Sequence, residues 1–295
     1  MILVIQLNTY EDGNILEWKW ASNNKLIPNP FFTSCYFIDG ILIDSGAPAG
    51  VNDLMNFVSS LHGEQGIKEC IITHAHEDHS GGAHMLKSEF NVPIYAHRKA
   101  IPILKRESNY PQYRQVAWGE KRQPVIAKKV PKRIKTANNK FIFEIYPMPG
   151  HAPELIALIE KSKEWAFVSD AIQPRYKMLF GHNSDIQENL SQIVESMIKL
   201  LDYAINLNDL KVFISGHGMY EREIIEQKIE ELNELHSQVH MSYLQFSIEG
   251  YDHPKIFKKI LKEIFGRETA IGKLTNGDLS IMNLIESLYN WPLKI

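Results

Sequence analysis

Hydrophobic positions along the 295-residue chain fall into short β-rich runs that alternate with longer stretches at helical spacing. This pattern belongs to an α/β class in which helices cover sheets. Apolar runs predict strands over Ile2–Asn8, Thr33–Asp39, Ile41–Asp44, Lys68–Thr73, Pro93–Ala96, Lys140–Pro147, Leu155–Glu160, Glu164–Ser169 and Lys211–Ser215. Helical periodicity predicts Val51–Leu61, Gly82–Phe90, Ile186–Ala204, Glu221–His236, Lys255–Phe265 and Ser280–Tyr289. Ile256, Phe257, Ile260, Leu261, Ile264 and Phe265 form one apolar stripe, expected to pack on the core or on a partner chain.

The stretch from Lys105 to Lys135 breaks the alternation. It holds ten Lys or Arg against Glu107 and Glu120, a local balance of +8, and its Pro residues and weak periodicity suggest an insertion or lid between two halves of a core. A solvated basic loop and a lid that attracts an anionic substrate are the two readings.

Composition narrows the class. With 44% hydrophobic and 23% charged residues the chain is ordinary globular material, which excludes disorder, collagen and coiled coil. A net charge of −3 gives no global attraction to nucleic acid or an anionic membrane, so a charged partner must be met by a local patch. The two cysteines, Cys35 and Cys70, sit in apolar runs and read as small buried hydrophobes, which suits a reducing cytoplasm. The amino-terminal run reads as a strand and not a signal peptide, and no apolar run approaches the roughly 18 to 20 residues of a membrane span.

The chemistry concentrates after Ile71-Ile72-Thr73, where His74-Ala75-His76-Glu77-Asp78-His79-Ser80-Gly81-Gly82 places four metal-competent side chains in six residues. At a strand exit His74 and His76 point to one side, because strand side chains alternate with period two. Asp78 and His79 fall on the turn that opens the next helix, and Gly81-Gly82 let the chain pass close to whatever those side chains hold. Imidazoles with a carboxylate are the ligands expected for zinc or another borderline divalent metal. Further candidates end other predicted strands: Asp44 before Ser45-Gly46, His151 after Pro149-Gly150, Asp170 after Ser169, and His217 between Gly216 and Gly218. Strand ends are where an α/β scaffold places its site residues.

Together these motifs resemble the metallo-β-lactamase superfamily of metallohydrolases. His74-x-His76-x-Asp78-His79, with Asp44, His151, Asp170 and His217, match the superfamily's five motifs in order over about the first three quarters of the chain. The resemblance implies a four-layer αββα sandwich over residues 1–220, with residues 105–135 as the basic insertion or lid, and a helical extension over 221–295 packed on that core. It also implies one metal held by His74, His76 and His151, a second by Asp78, His79 and His217, and Asp170 bridging them. Asp44 would orient a ligand imidazole and Asp78 could steer the nucleophile's proton. Two divalent ions, zinc first with iron or manganese accepted by the same donors, would supply hydroxide near neutral pH for attack on an acyl or phosphoryl centre.

Departures from named branches narrow the substrate. The commonest zinc β-lactamases have Cys at the position of Asp170; flavin-linked diiron enzymes replace His76 by an acid and add a flavodoxin domain. The 46 residues between Asp170 and His217 leave no room for a nuclease β-CASP domain. Quorum-quenching lactonases carry Tyr at the position of Gln173, with Tyr176 three further on here. What remains resembles the glyoxalase II group, and Gly277–Leu288 resembles the closing helix of a bacterial and archaeal branch with a helical cap. The basic glutathione-contacting cluster of glyoxalase II proper is not seen, and Ser169-Asp170 stands where Gly-Asp is usual. The expected activity is cleavage of a thioester or ester of a small anionic molecule, with Tyr176, Arg175 and His182 as candidate substrate contacts, no nucleic-acid or membrane partner, and a homodimer compatible with the sequence. The alternatives are a metal-containing effector or binding protein, a mononuclear-iron persulfide dioxygenase, and a lactonase.

Overall fold

The computed structural model describes residues 5–25, 27, 31–61, 66–181 and 188–292. These divide into two units: Met1–Met148 with Pro153–Asp170 and Leu207–Glu221, and Pro149–Ala152 with Ala171–Asn206 and Arg222–Ile295.

The first unit holds two sheets. One runs in the order β1 (Ile5–Tyr10), β2 (Ile15–Ala21), β3 (Phe32–Ile38), β4 (Ile41–Ile43), β5 (Glu69–Ile72), β6 (Ile94–Ala96), β7 (Lys128–Lys129). The other is built from β8 (Arg133–Lys135), β9 (Ile142–Pro147), β10 (Ile156–Glu160), β11 (Trp165–Ser169), β13 (Lys211–Ile214) and β14 (Gly218–Glu221), in the order β14-β13-β11-β10-β9-β8. Period-two alternation sends each strand's side chains into different cores. Ile38, Ile41, Ile43 and Ile71 of the first sheet meet Phe143, Leu158, Phe167 and Phe213 of the second. Their neighbours Trp18, Cys35, Leu42, Cys70 and Ile72 face the other way, into a core closed by Leu54 and Phe57 of α1 (Val51–Ser60) and Leu86 of α3 (Ala83–Glu89). Both cysteines are free and fully buried there, as their apolar runs imply. Because β4 and β5 run parallel, as do β11 and β13, the residues following each pair emerge on a common sheet edge.

Several elements depart from the sequence pattern. The first strand is described from Ile5 and runs two residues past its expected end, to Tyr10, the earlier part of the expected Ile2 start lying outside the described residues; β2 has no counterpart in the apolar reading, because Glu17 and Lys19 interrupt it. Glu17 nevertheless lies at 0% exposure, alternating with the buried Trp18 and Trp20. Residues 105–135 are also more structured than a loop. They contain α5 (Gln112–Trp118), and their end supplies β7 and β8, an edge strand for each sheet. Two of their ten cations are buried: Arg114 and Arg122, at 6% and 1% exposure. Arg122 donates to the carbonyls of Ile103, Leu104, Arg106 and Gln123 at 3.0–3.1 Å, tying the segment to the end of α4 (Ile101–Leu104).

An ion pair joins the β1–β2 hairpin to the second sheet: Lys211 Nζ lies 2.6 Å from Glu11, and Trp165 Nε1 donates to the same carboxylate at 2.9 Å. Partial burial alone would raise the Glu11 carboxyl, but these hydrogen bonds and the Lys211 charge turn the net shift downward. A depressed folded pKa contributes stability above the unfolded carboxylate range, and that stability is lost as pH falls through the folded value. Glu11→Gln should therefore lower the urea midpoint near pH 7 and leave it unchanged near pH 2, where both forms are uncharged. Urea titrations at the two pH values check this.

The second unit carries β12 (Leu179–Phe180) paired antiparallel with β15 (Leu279–Ser280), and α6 (Leu190–Tyr203), α7 (Glu223–Ile248), α8 (His253–Ile260), α9 (Ala270–Leu274) and α10 (Ile281–Asn290). Asn189 caps α6 by accepting from Gln192 N; the earlier part of the expected Ile186 start lies outside the described residues. α7 runs twelve residues past the expected end at His236, because its outer face carries exposed Met241, Leu244 and Ile248 that blur the amphipathic period. The helix expected over Lys255–Phe265 starts earlier, on the Asp252 cap, and closes with a π-helical turn, Leu261–Phe265. No helix among the described residues is long and apolar enough to cross a membrane.

Candidate metal centre

β5 ends one residue before Thr73, and the chain then leaves the sheet through His74-Ala75-His76 into the short helix α2 (Glu77–Ser80). Gly81 and Gly82 do allow a close approach, but to protein backbone. A Cβ on Gly81 would sit 2.3 Å from Pro48 N, and one on Gly82 2.6 Å from Ser45 O. The His74–Gly82 segment is thereby packed onto the loop that follows Asp44. Ser45 N and Oγ both donate to the His79 carbonyl, at 2.7 and 3.0 Å, reinforcing the same junction.

Asp44, directly after β4, and Ser169, the last residue of β11, have φ of 63° and 53°, a left-handed backbone that non-glycine residues seldom adopt. Such residues persist where surrounding contacts over-determine them, and here those contacts are polar. Asp44 accepts from Thr73 N at 2.7 Å and Thr73 Oγ1 at 2.9 Å, and its Oδ2 lies 2.8 Å from His79 Nδ1. Ser169 Oγ lies 2.9 Å from Thr73 Oγ1 and 3.3 Å from His79 Nδ1. Thr73 Oγ1 is also 3.1 Å from His74 Nδ1. One buried hydroxyl–carboxylate network therefore holds the Nδ1 edges of His74 and His79, turning their Nε2 atoms away from it.

Those Nε2 atoms meet other donors. His74 Nε2 is 3.0 Å from His76 Nδ1, while His79 Nε2 lies 3.1 Å from Asp170 Oδ2 and 3.5 Å from Asp78 Oδ2. One ligand atom each from His74, His79 and Asp170 all fall within 4.8 Å of one another. Burial opposes a charge on His79, but Asp170, Asp78 and Asp44 together raise its pKa well above the ordinary value. Burial pushes the Asp78 carboxyl up and Asp170 adds to it, against the pull of His79. A buried carboxylate that resists ionising beside a second one, with both facing an imidazole nitrogen, belongs to a donor set that a borderline divalent cation relieves and binds. The residues present thus fit a metal.

The remaining positions divide between the units. His217 sits in the turn after β13, where desolvation lowers its pKa against the opposing charge of Asp170. His151 belongs to the second unit and follows Gly150, whose φ is 146° and where a Cβ would lie 2.5 Å from Ile193. Its Nδ1 is 2.7 Å from Glu188 Oε1, and Glu188's other oxygen accepts from Phe180 N at 2.9 Å. Tyr176 is buried with its hydroxyl accepting from Gln173 N at 3.1 Å, Arg175 is exposed, and His182 lies outside the described residues.

Sequence reasoning did not single out Thr73, Glu154, Glu188 or Glu77. Glu154 Oε1 accepts from Ala75 N at 3.2 Å, between the two ligand candidates of the strand exit. Glu77 meets Arg114 at 2.5 Å and pins α5 to α2, although burial holds its carboxyl above the usual range. Thr73 is the one with a sequence signal, since it directly precedes His74. Other histidines serve packing: His84 faces the Pro124 carbonyl, and His236 and His240 the Trp291 carbonyl.

The model of the metallo-β-lactamase superfamily matches residues 28–217. The chain belongs to that superfamily. It is 29% identical over 211 residues to hydroxyacylglutathione hydrolase GloC of Haemophilus influenzae, covering 67% of this chain and 92% of that one. It is also 29% identical over 167 residues to the probable metallo-hydrolase YybB of Bacillus subtilis, 55% of this chain and 70% of that one. Among solved structures, the metallo-β-lactamase from Pontibacter korlensis matches with a TM-score of 0.59 at 13% identity, covering 77% of this chain and 97% of that one. The metallo-β-lactamase from Hirschia baltica matches with 0.57 at 17%, covering 77% and 96%. The fold class is accordingly α/β, the αββα sandwich of this superfamily, and the chain is a metallohydrolase-superfamily member with a histidine cluster suited to divalent metal.

Proposed function

We propose that this chain is a metal-dependent hydrolase that cleaves the thioester or ester bond of a small anionic molecule. The observation that carries the reading is the pair of carboxylates, Asp78 and Asp170, facing His79 Nε2 while Asp44 holds Nδ1. In this reading His74, His76 and His151 would hold one divalent ion, Asp78, His79 and His217 would hold a second, and Asp170 would serve both. Such ions, zinc first among those the donors accept, would supply hydroxide near neutral pH and polarise the scissile carbonyl.

The chain's own residues do the rest. Asp44, Thr73 and Ser169 fix the imidazole orientations of His74 and His79, and Glu188 does the same for His151. In this reading Asp78 would also steer the nucleophile's proton. A thiolate leaving group needs no general acid. Eight exposed cations of residues 105–135 supply an attractive field for an anionic substrate, and Arg175, Tyr176 and His182 are the proposed contacts to it. Similarity to a hydroxyacylglutathione hydrolase over 92% of that protein's length supports the thioester class. The free buried thiols of Cys35 and Cys70 suit a reducing cytoplasm.

A kinetic panel of thioesters, lactones and phosphodiesters on the metal-loaded protein tests the substrate class. The expected result is kcat/KM at least about tenfold higher for an anionic acyl thioester than for any lactone or phosphodiester. Equal or greater turnover of a phosphodiester would overturn the assignment.

A further inference from the structure

The first unit buries a carboxylate that the hydrolytic reading does not use. Glu17, on β2, is at 0% exposure and takes three hydrogen bonds: Oε2 accepts from Asn8 Nδ2 at 2.8 Å and Tyr10 OH at 2.9 Å, and Oε1 accepts from Ser34 Oγ at 2.6 Å. All three neighbours donate, so the site demands an acceptor-only group. Because Ser34 spends its proton on Glu17, its oxygen lone pairs face outward. One accepts from Gly216 N at 2.9 Å, and Ser34 N in turn donates to Ser215 Oγ at 3.1 Å. Ser215 and Gly216 are the two residues that lead into His217. The turn has little freedom to move otherwise: Gly216 has φ +71° with no room for a side chain beside the Phe32 carbonyl, and a Cβ on Gly218 would lie 2.9 Å from the Tyr10 hydroxyl.

We propose that Glu17 is a positioning residue for His217, acting through Ser34, so that a carboxylate buried on the first sheet sets the cation affinity of a ligand carried by the second. The inference rests on the reading of His217 as a metal ligand. Glu17→Gln is the informative change because it keeps size and shape but brings an NH2 group among donors. If the amide oxygen stays with Asn8 and Tyr10, the amide nitrogen points at Ser34 Oγ, which must then turn its proton elsewhere and accept along the direction in which it had donated, straining its bond from Gly216 N. Ser34→Ala removes the same link from its other end.

The test strips metal from the full-length chain and titrates it with Co2+, whose visible spectrum reports coordination, and with Zn2+ against a competing chelator. Wild type, Glu17→Gln, Ser34→Ala, the double variant and His217→Ala are compared. His217→Ala defines which binding step belongs to His217. That step should weaken by about 10- to 100-fold in Glu17→Gln and in Ser34→Ala, with the other step within about twofold of wild type, and the double variant should be no weaker than the worse single one. If Glu17→Gln does not fold, Ser34→Ala carries the same expectation alone. Wild-type affinity at the His217 step in both single variants, whatever their melting temperatures, would overturn the proposal, as would strictly additive losses. A His217→Ala protein that binds metal like wild type would overturn the ligand reading itself, and the proposal with it.

Discussion

Asp170→Asn should reduce kcat/KM on the best thioester by about a thousandfold or more while the chain stays folded. The side chain keeps its size, so the packing after β11 is preserved, but the negative charge 3.1 Å from His79 Nε2 is gone. Several kcal/mol of charge stabilisation depend on a centre of this kind, and each loss of about 1.4 kcal/mol costs a factor of ten in rate. The variant should also bind Zn2+ more weakly, because a neutral amide replaces a carboxylate in an otherwise imidazole-rich donor set. Thermal melting beside steady-state kinetics separates the effects: an unchanged melt of the metal-free protein with a lost rate is the expected outcome. A rate within tenfold of wild type would remove Asp170 from the centre.

Gly216→Ala carries the second large effect, through the backbone. The residue has φ +71°, and an added Cβ would stand 2.0 Å from the carbonyl oxygen of Phe32, an atom that cannot swing aside as the end of a long side chain can. An alanine must either hold a left-handed conformation against that contact or move the turn. Moving it breaks the Gly216 N–Ser34 Oγ hydrogen bond and displaces His217. A stability loss of about 2–4 kcal/mol by urea unfolding is expected, and kcat/KM should fall by at least about a hundredfold, since site residues must be held to within about 0.5 Å. By contrast Gly13, with φ +82° but open space around it, should show only the modest cost of its backbone conformation.

The contrast between legible and illegible parts of this chain has a physical origin. His74, His76, Asp78 and His79 stand out in the sequence because four metal-competent side chains fall within six residues at the exit of a strongly apolar strand, and the structure keeps His74 3.0 Å from His76 and His79 3.5 Å from Asp78. Asp44, Asp170 and His217 were legible for a related reason: each follows an apolar run that ends in a turn. Glu17 and Glu188 gave no such signal, because what makes them matter is a partner chosen by tertiary packing: Ser34 across a strand pair, and His151 thirty-seven residues earlier. β2 escaped because a buried, hydrogen-bonded Glu17 looks like a solvent residue in any hydropathy pattern. The +8 of residues 105–135 was also only partly informative. A charge count cannot distinguish Lys128, exposed on an edge strand, from Arg122, whose guanidinium is spent on four carbonyls inside the protein.

The most direct test of the account joins metal content to rate. The protein is purified without added metal, its metal per chain is measured, and hydrolysis of an anionic acyl thioester is followed before chelation, after chelation, and after restoring Zn2+. Two divalent ions per chain at full activity, loss of hydrolysis in the chelated protein, and recovery on adding metal back are the expected results. An undiminished rate in the fully chelated protein, or negligible turnover in a chain holding its full complement of metal, would contradict the account.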